Sequence, residues 1–131
     1  MSRGFRVWDE QTKSYEWDRE FVLSSSGELM ELYSNHNGTW EYHFADTDRF
    51  IVEHETGLKD KNGKEIYEGD VMRFDAIDYE IYWSSDFSGW HNRRTDKSER
   101  IYGSNSFEEV TRFGSVIGNI HENKELLGGK E

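Results

Sequence analysis

The sequence predicts a mostly-β chain of the α+β class, and three observations carry that reading. Glycines at Gly57, Gly63 and Gly69 punctuate a polar central stretch, where residues free to take positive φ mark sharp reversals. Segments such as Trp40 to Phe44 and Ile77 to Trp83 alternate side chains with the period of two that a pleated strand imposes. Five Trp, seven Tyr and eight Phe with no proline favour a ring-rich core over a linker-rich or disordered chain. Those rings matter, because Leu, Ile, Val and Phe together make up only about a fifth of the residues, the level at which highly charged chains start to lose a core.

Taken in order, Gly4 to Trp8 and Ser14 to Trp17 bracket a turn-rich Asp9 to Lys13 and read as a first hairpin. Glu20 to Leu23 and Glu28 to Tyr33 flank Ser24-Ser25-Ser26-Gly27 in the same way; the second arm also satisfies a helical spacing, and strand is preferred. After the loop Asn35 to Gly38, Trp40, Tyr42 and Phe44 alternate with Glu41 and His43 as in a half-buried strand, and Phe50 to Glu55 forms another. Asn62-Gly63 suits a tight turn in which both central residues take positive φ. Glu68-Gly69-Asp70 turns the chain into a strand, Val71 to Phe74, which puts Val71 and Arg73 on one face and Met72 and Phe74 on the other. Ile77, Tyr79, Ile81 and Trp83 line one side of the next strand, and the polar run Asn92 to Arg100 is expected to be mobile. Ser106 to Glu109 has capping-box spacing for a short helix ended by Gly114; Ser115 to Ile120 is the closing strand, and Glu122 to Leu127 adds one helical turn.

The central stretch Thr56-Gly57-Leu58-Lys59-Asp60-Lys61-Asn62-Gly63-Lys64-Glu65-Ile66-Tyr67-Glu68-Gly69-Asp70 resembles the signature of the YopX family of phage and prophage proteins. Phe5-Arg6-Val7-Trp8-Asp9 resembles that family's opening, and Val116 to Asn123 with Leu126-Leu127 its closing. The family usually has proline where this chain has Lys124, which takes rigidity from the terminal turn. The resemblance implies a mostly-β protein with an SH3-like barrel in its C-terminal half, of phage or prophage origin. No catalytic or binding residues come with it. The expected organisation is therefore an N-terminal β-hairpin region over 1–55, packed on an SH3-like small β-barrel with short helical turns over 56–127, and a disordered tail at 128–131.

Composition narrows the functional classes. A formal charge of -11 and a pI ≈ 4.9 oppose non-specific attraction to nucleic acid or anionic membranes, so any such binding must be local. Without cysteine there is no disulfide framework, thiolate nucleophile or zinc ribbon, which fits a reducing cytoplasm. No apolar run approaches the roughly 20 residues of a membrane helix, and a soluble cytoplasmic protein of the host cell with no membrane partner is expected.

Candidate sites are weighed against plainer explanations. His36, His43 and His54 with Glu41, Glu53 and Glu55 could hold zinc or manganese, but their spacing fits no ligand motif, and surface polar residues are the better reading. Asp60 to Glu65 is half the length of a calcium loop and contains two lysines, so turn chemistry explains it. The signature residues Gly57, Asp60, Asn62, Gly63, Tyr67, Gly69 and Asp70 are read as structural, with Asp70 accepting backbone amides at its corner. Arg93, Arg94, Lys97 and Arg100 follow Trp83, Phe87 and Trp90, the combination a single-stranded nucleic-acid groove uses; Asp96 and Glu99 halve its charge, and a solvated loop beside core tryptophans competes. No nucleophile elbow, phosphate loop or dinucleotide fingerprint occurs, so no enzyme, catalytic residue, metal or cofactor is expected. The favoured function is a non-catalytic interaction or structural module that self-associates as a homo-oligomer or meets a host or phage protein. The alternatives are single-stranded nucleic-acid binding through Trp83, Trp90, Arg93, Arg94, Lys97 and Arg100, and an acidic DNA mimic that occupies a host protein.

Overall fold

A computed structural model describes residues 4–34, 37–96 and 106–127. The expected tail at 128–131, and His36, Lys97, Glu99 and Arg100, lie outside the described residues. The chain is mostly β, with eleven strands, one α-helix and one 3₁₀ turn among the described residues. Contacts divide it into two units, Arg6–Val52 and Glu53–Glu131 with Met1–Phe5.

In the first unit, β1 (Phe5–Asp9) is buried along its whole length between β2 (Ser14–Tyr15) and the opening residues of β6 (Phe50–Lys59). Trp8 faces Tyr15 across the first hairpin, and their rings meet edge-on at 4.9 Å. Asp9 closes the turn: its Oδ1 accepts the Gln11 amide at 2.9 Å, while Arg49 donates to both carboxylate oxygens at 2.9 Å. A second antiparallel group follows in the order β3 (Phe21–Leu23), β4 (Leu29–Ser34), β5 (Trp40–Phe44), so the stretch that also fitted a helix is a strand. Glu31 on β4 is buried and takes Arg19 at 2.6 Å and the Tyr33 hydroxyl at 2.9 Å.

The expected half-burial of Trp40 to Phe44 is corrected: all five residues of β5 are exposed. Among the described residues the strand pairs with β4 alone and ends its sheet, so alternation here separates two wet faces instead of a wet face from a dry one.

In the second unit β6 pairs with β7 (Glu65–Tyr67), with a register shift between Glu55 and Lys59. Gly57, at φ 86°, lies inside that shift, so it bulges a continuous strand and does not reverse it as expected. The reversal follows at Asp60–Lys64, where Gly63 alone takes positive φ, 84°, and Asn62 does not. The expected pair of left-handed residues is unnecessary there because the Asp60 carboxylate holds the turn, accepting the Asn62 and Lys64 amides at 2.9 Å each. Two consecutive left-handed residues occur instead at Asp75 (φ 56°) and Ala76 (φ 64°), joining β8 (Asp70–Phe74) to β9 (Ile77–Ser84).

These strands form a four-stranded antiparallel sheet, order β10-β9-β8-β11, with β10 at Gly89–Arg94 and β11 at Ser115–Asn119, curled into a half-barrel. The expected mobility of Asn92 to Arg94 is thereby corrected, since all three are ladder residues opposite Ile81, Glu80 and Tyr79. Helix α1 (Phe107–Phe113) starts on the anticipated capping box, Ser106 accepting the Glu109 amide at 3.1 Å, and ends at Gly114. Its Val110 joins Ile66, Met72, Tyr79 and Ile81 in the core, with Phe74, Ile77, Trp90, Phe107 and Val116 packed around them. Val71 and Met72 are both fully buried, so β8 is covered on both faces there. A 3₁₀ turn over Lys124–Leu127 follows β11. No helix among the described residues is long and apolar enough to cross a membrane.

Candidate functional site

Of the signature residues, Asp60, Gly69 and Asp70 lie at corners of the second unit. Asp60 is 6% exposed, and its second oxygen accepts the Val116 amide at 2.8 Å, tying the β6–β7 turn to β11. Burial pushes the Asp60 carboxyl up, and the three backbone amides of Val116, Lys64 and Asn62 together with the Lys64 charge outweigh it, leaving the group below its ordinary value. Asp70 accepts the Tyr67 amide at 2.8 Å, as the corner chemistry anticipates. Gly69 is required twice over: its φ is 90°, and a Cβ there would sit 2.7 Å from Glu53 Oε2.

That Glu53 belongs to a pair which sequence reasoning missed. Its Oε2 lies 2.8 Å from His121 Nε2, with side-chain exposures of 4% and 13%. The partners are 68 positions apart, and no spacing rule connects a mid-strand glutamate to a histidine beyond the last strand. Among the described candidates for a metal, His43 faces Glu41 at 3.3 Å on the exposed β5, and His54 is exposed with its amide 3.4 Å from Glu68 Oε1. No group of three metal-ligating side chains forms among the described residues.

The basic candidates of the β9–β10 hairpin are split between its two faces. Trp83 stands directly opposite Trp90, and the shared alternation puts them on the face of Tyr79 and Ile81. Arg93 stands opposite Glu80 on the other face, in a forked ion pair at 3.2 and 3.3 Å, and its guanidinium lies 4.1 Å from the Tyr82 ring centre. Arg94 shares the tryptophan face but sits at the far end, opposite Tyr79, and pairs with Asp96 at 2.9 Å. The expectation that Trp83 belongs with the core is corrected: it is 47% exposed, because the buried row ends at Ile81 and the hairpin runs on past it. Beside it His54, Glu68, Trp83 and Trp90 line an open cleft of ≈ 490 Å³.

A second aromatic surface lies on β5 in the first unit. Trp40, Tyr42 and Phe44 occupy alternate positions on one face and are 64%, 50% and 68% exposed. Opposite them on β4 stand Ser34, Leu32 and Met30. On the other face Glu41 and His43 alternate, the Tyr33 and His43 rings meeting at 5.2 Å. A strand at the edge of its sheet among the described residues, carrying three large rings, can bind another protein by strand addition and ring burial.

Residues 4–128 match the family model described as YopX protein. Protein EF1440 from Enterococcus faecalis has a similar structure, with a TM-score of 0.59 and 26% identity over 95% of this chain and 96% of that one. Protein yopX from Bacillus subtilis is similar in fold, with a TM-score of 0.59 and 17% identity over 96% of this chain and 98% of that one. No curated protein matches the sequence.

Proposed function

This chain belongs to the YopX protein family, and we propose that it is a non-catalytic interaction module, of phage or prophage origin and acting in the host cytoplasm, that associates with copies of itself. The observation that carries this reading is the exposed aromatic edge of β5. That strand is complementary to itself. In an antiparallel pair centred on Tyr42, Trp40 falls opposite Phe44 of the second copy and Glu41 opposite its His43. Rings then meet rings on one face, and a carboxylate meets an imidazole on the other. Six rings burying on the order of 100 Å² each supply about half the roughly 1,200 Å² of a specific interface, so association through this edge alone would be weak and concentration-dependent.

Sedimentation across a range of protein concentrations tests it. Replacing Tyr42 by lysine puts two like charges face to face at the symmetry centre, and the expected result is a shift to monomer while the far-ultraviolet spectrum stays unchanged. A wild-type chain that stays monomeric at the highest concentration, or an oligomer indifferent to Tyr42→Lys, overturns the reading. Nucleic-acid binding draws less support, since Arg93 and Arg94 both lie in ion pairs with carboxylates and only Arg94 shares a face with the tryptophans.

A further inference from the structure

We propose that the corner formed by Trp83, Trp90, Glu68 and His54 binds an alkylammonium group. The two indoles meet edge to face, at 81° to one another with their centres 5.2 Å apart, and both line the cleft. Trp90 packs against the core and is held by it; Trp83, nearly half exposed, offers its ring to solvent. Glu68 supplies a carboxylate to the same ≈ 490 Å³ cleft, a volume within the usual range for small-ligand sites, and the neighbouring His54 amide lies 3.4 Å from its Oε1.

The chemistry selects among ligands. An anion meets the Glu68 carboxylate and the field of a chain with net charge -11. A neutral apolar group gains only buried area, whereas a cation gains that area together with the negative faces of the rings and the carboxylate. A small metal ion holds its water too tightly to exchange it for indole, and among the described residues the cleft offers too few ligating oxygens. An alkylated ammonium is weakly hydrated and of the size that two indoles and a carboxylate can surround. The site lies wholly within the second unit and owes nothing to self-association through β5.

The test follows the indole N–H resonances of the full-length chain by NMR, with choline as probe and 3,3-dimethylbutanol as its uncharged isostere. Choline should shift the Trp83 and Trp90 signals saturably, with the isostere at least about tenfold weaker, the factor that roughly 1.4 kcal/mol of cation–π and carboxylate attraction supplies. Glu68→Gln should weaken choline while leaving the isostere unchanged, and Trp83→Ala should abolish the Trp90 response. An acetylated trimethyllysine peptide separates the sources: tighter binding than choline assigns the site to a partner's side chain, and tighter binding of choline to a free small molecule. Equal binding of choline and the isostere, shifts that do not saturate, or a choline response untouched by Glu68→Gln overturns the proposal. The isostere contrast in the unsubstituted chain stands even if Trp83→Ala fails to fold.

Discussion

Two aspartates, one in each unit, make the same turn in different ways. Asp9 ends β1 and Asp60 follows β6; each is buried and accepts the amide two residues on at 2.9 Å with Oδ1. They part company over the remaining bonds. Asp60 takes only backbone amides, from Asn62, Lys64 and Val116. Asp9 takes a forked guanidinium from Arg49, which also lies 4.6 Å from the Phe50 ring centre. One carboxylate is therefore held by backbone amides alone, the other by its own turn amides together with a guanidinium 40 positions away. The first kind tolerates change in its neighbours' side chains, whereas the second depends in addition on the Arg49 side chain.

The largest effect is expected at Asp9. Asp9→Ala deletes the acceptor of the Arg49 fork and of the turn amides at a site with no exposure, and should lower unfolding free energy by about 3 kcal/mol in urea titrations. The bond to Arg49 holds the Asp9 carboxyl well below the ordinary carboxylate range, against the opposing effect of burial. A carboxyl depressed in the folded state contributes stability that is present above its unfolded value of 3.8 and lost as the pH falls towards the folded one. Glu16 has the opposite sign: hydrogen bonding to Asp9 raises it first, then burial, so its contribution is present below 4.5 and fades as the pH rises past that value. Stability should fall steeply below about pH 4, and Asp9→Ala should flatten that slope. An equally steep acid limb in the variant would assign acid sensitivity elsewhere.

Asp60→Ala is expected to cost less, about 2 kcal/mol, because water can reach part of the solvent-facing turn and replace some of the lost bonds. Its signature is local. Hydrogen exchange at the Lys64 and Val116 amides should speed up by more than exchange in β9, whereas Asp9→Ala should release the first unit. Equal losses spread over both units for both substitutions would erase the contrast between side-chain and backbone anchoring.

The two aspartates also mark what the sequence made legible. Asp70 follows Gly69 and Asp60 lies three positions before Gly63 at the corners they brace, and a short-range turn rule finds them. The fold class, the first two hairpins and the capping box were legible for the same reason, since each is written within a few neighbouring residues. Arg49 under Asp9 and His121 beside Glu53 were not, because strand pairing across tens of residues decides which side chains meet. The exposure of β5 and Trp83 was hidden for a related reason. Alternation tells which residues share a face, and only topology tells whether that face is covered.

The third tight turn sharpens the comparison, since no carboxylate-to-amide bond is seen within Asp75-Ala76 as it is at Asp9 and Asp60. Both residues take left-handed φ, 56° and 64°, in the two-residue connection between Phe74 and Ile77. Alanine in that region crowds its Cβ against the following carbonyl, at a cost of about 1 kcal/mol, and glycine does not. Ala76→Gly should therefore stabilise the second unit by up to about 1 kcal/mol, less the extra freedom glycine gives the unfolded chain. An Asp-Gly pair is also what a hairpin of this twist favours. A rise in the urea midpoint at constant slope is the expected reading. A fall would mean that the unfolded-state entropy of glycine outweighs the relief of strain, and that this corner, unlike the two held by aspartates, is kept in shape by limiting what the unfolded chain can do.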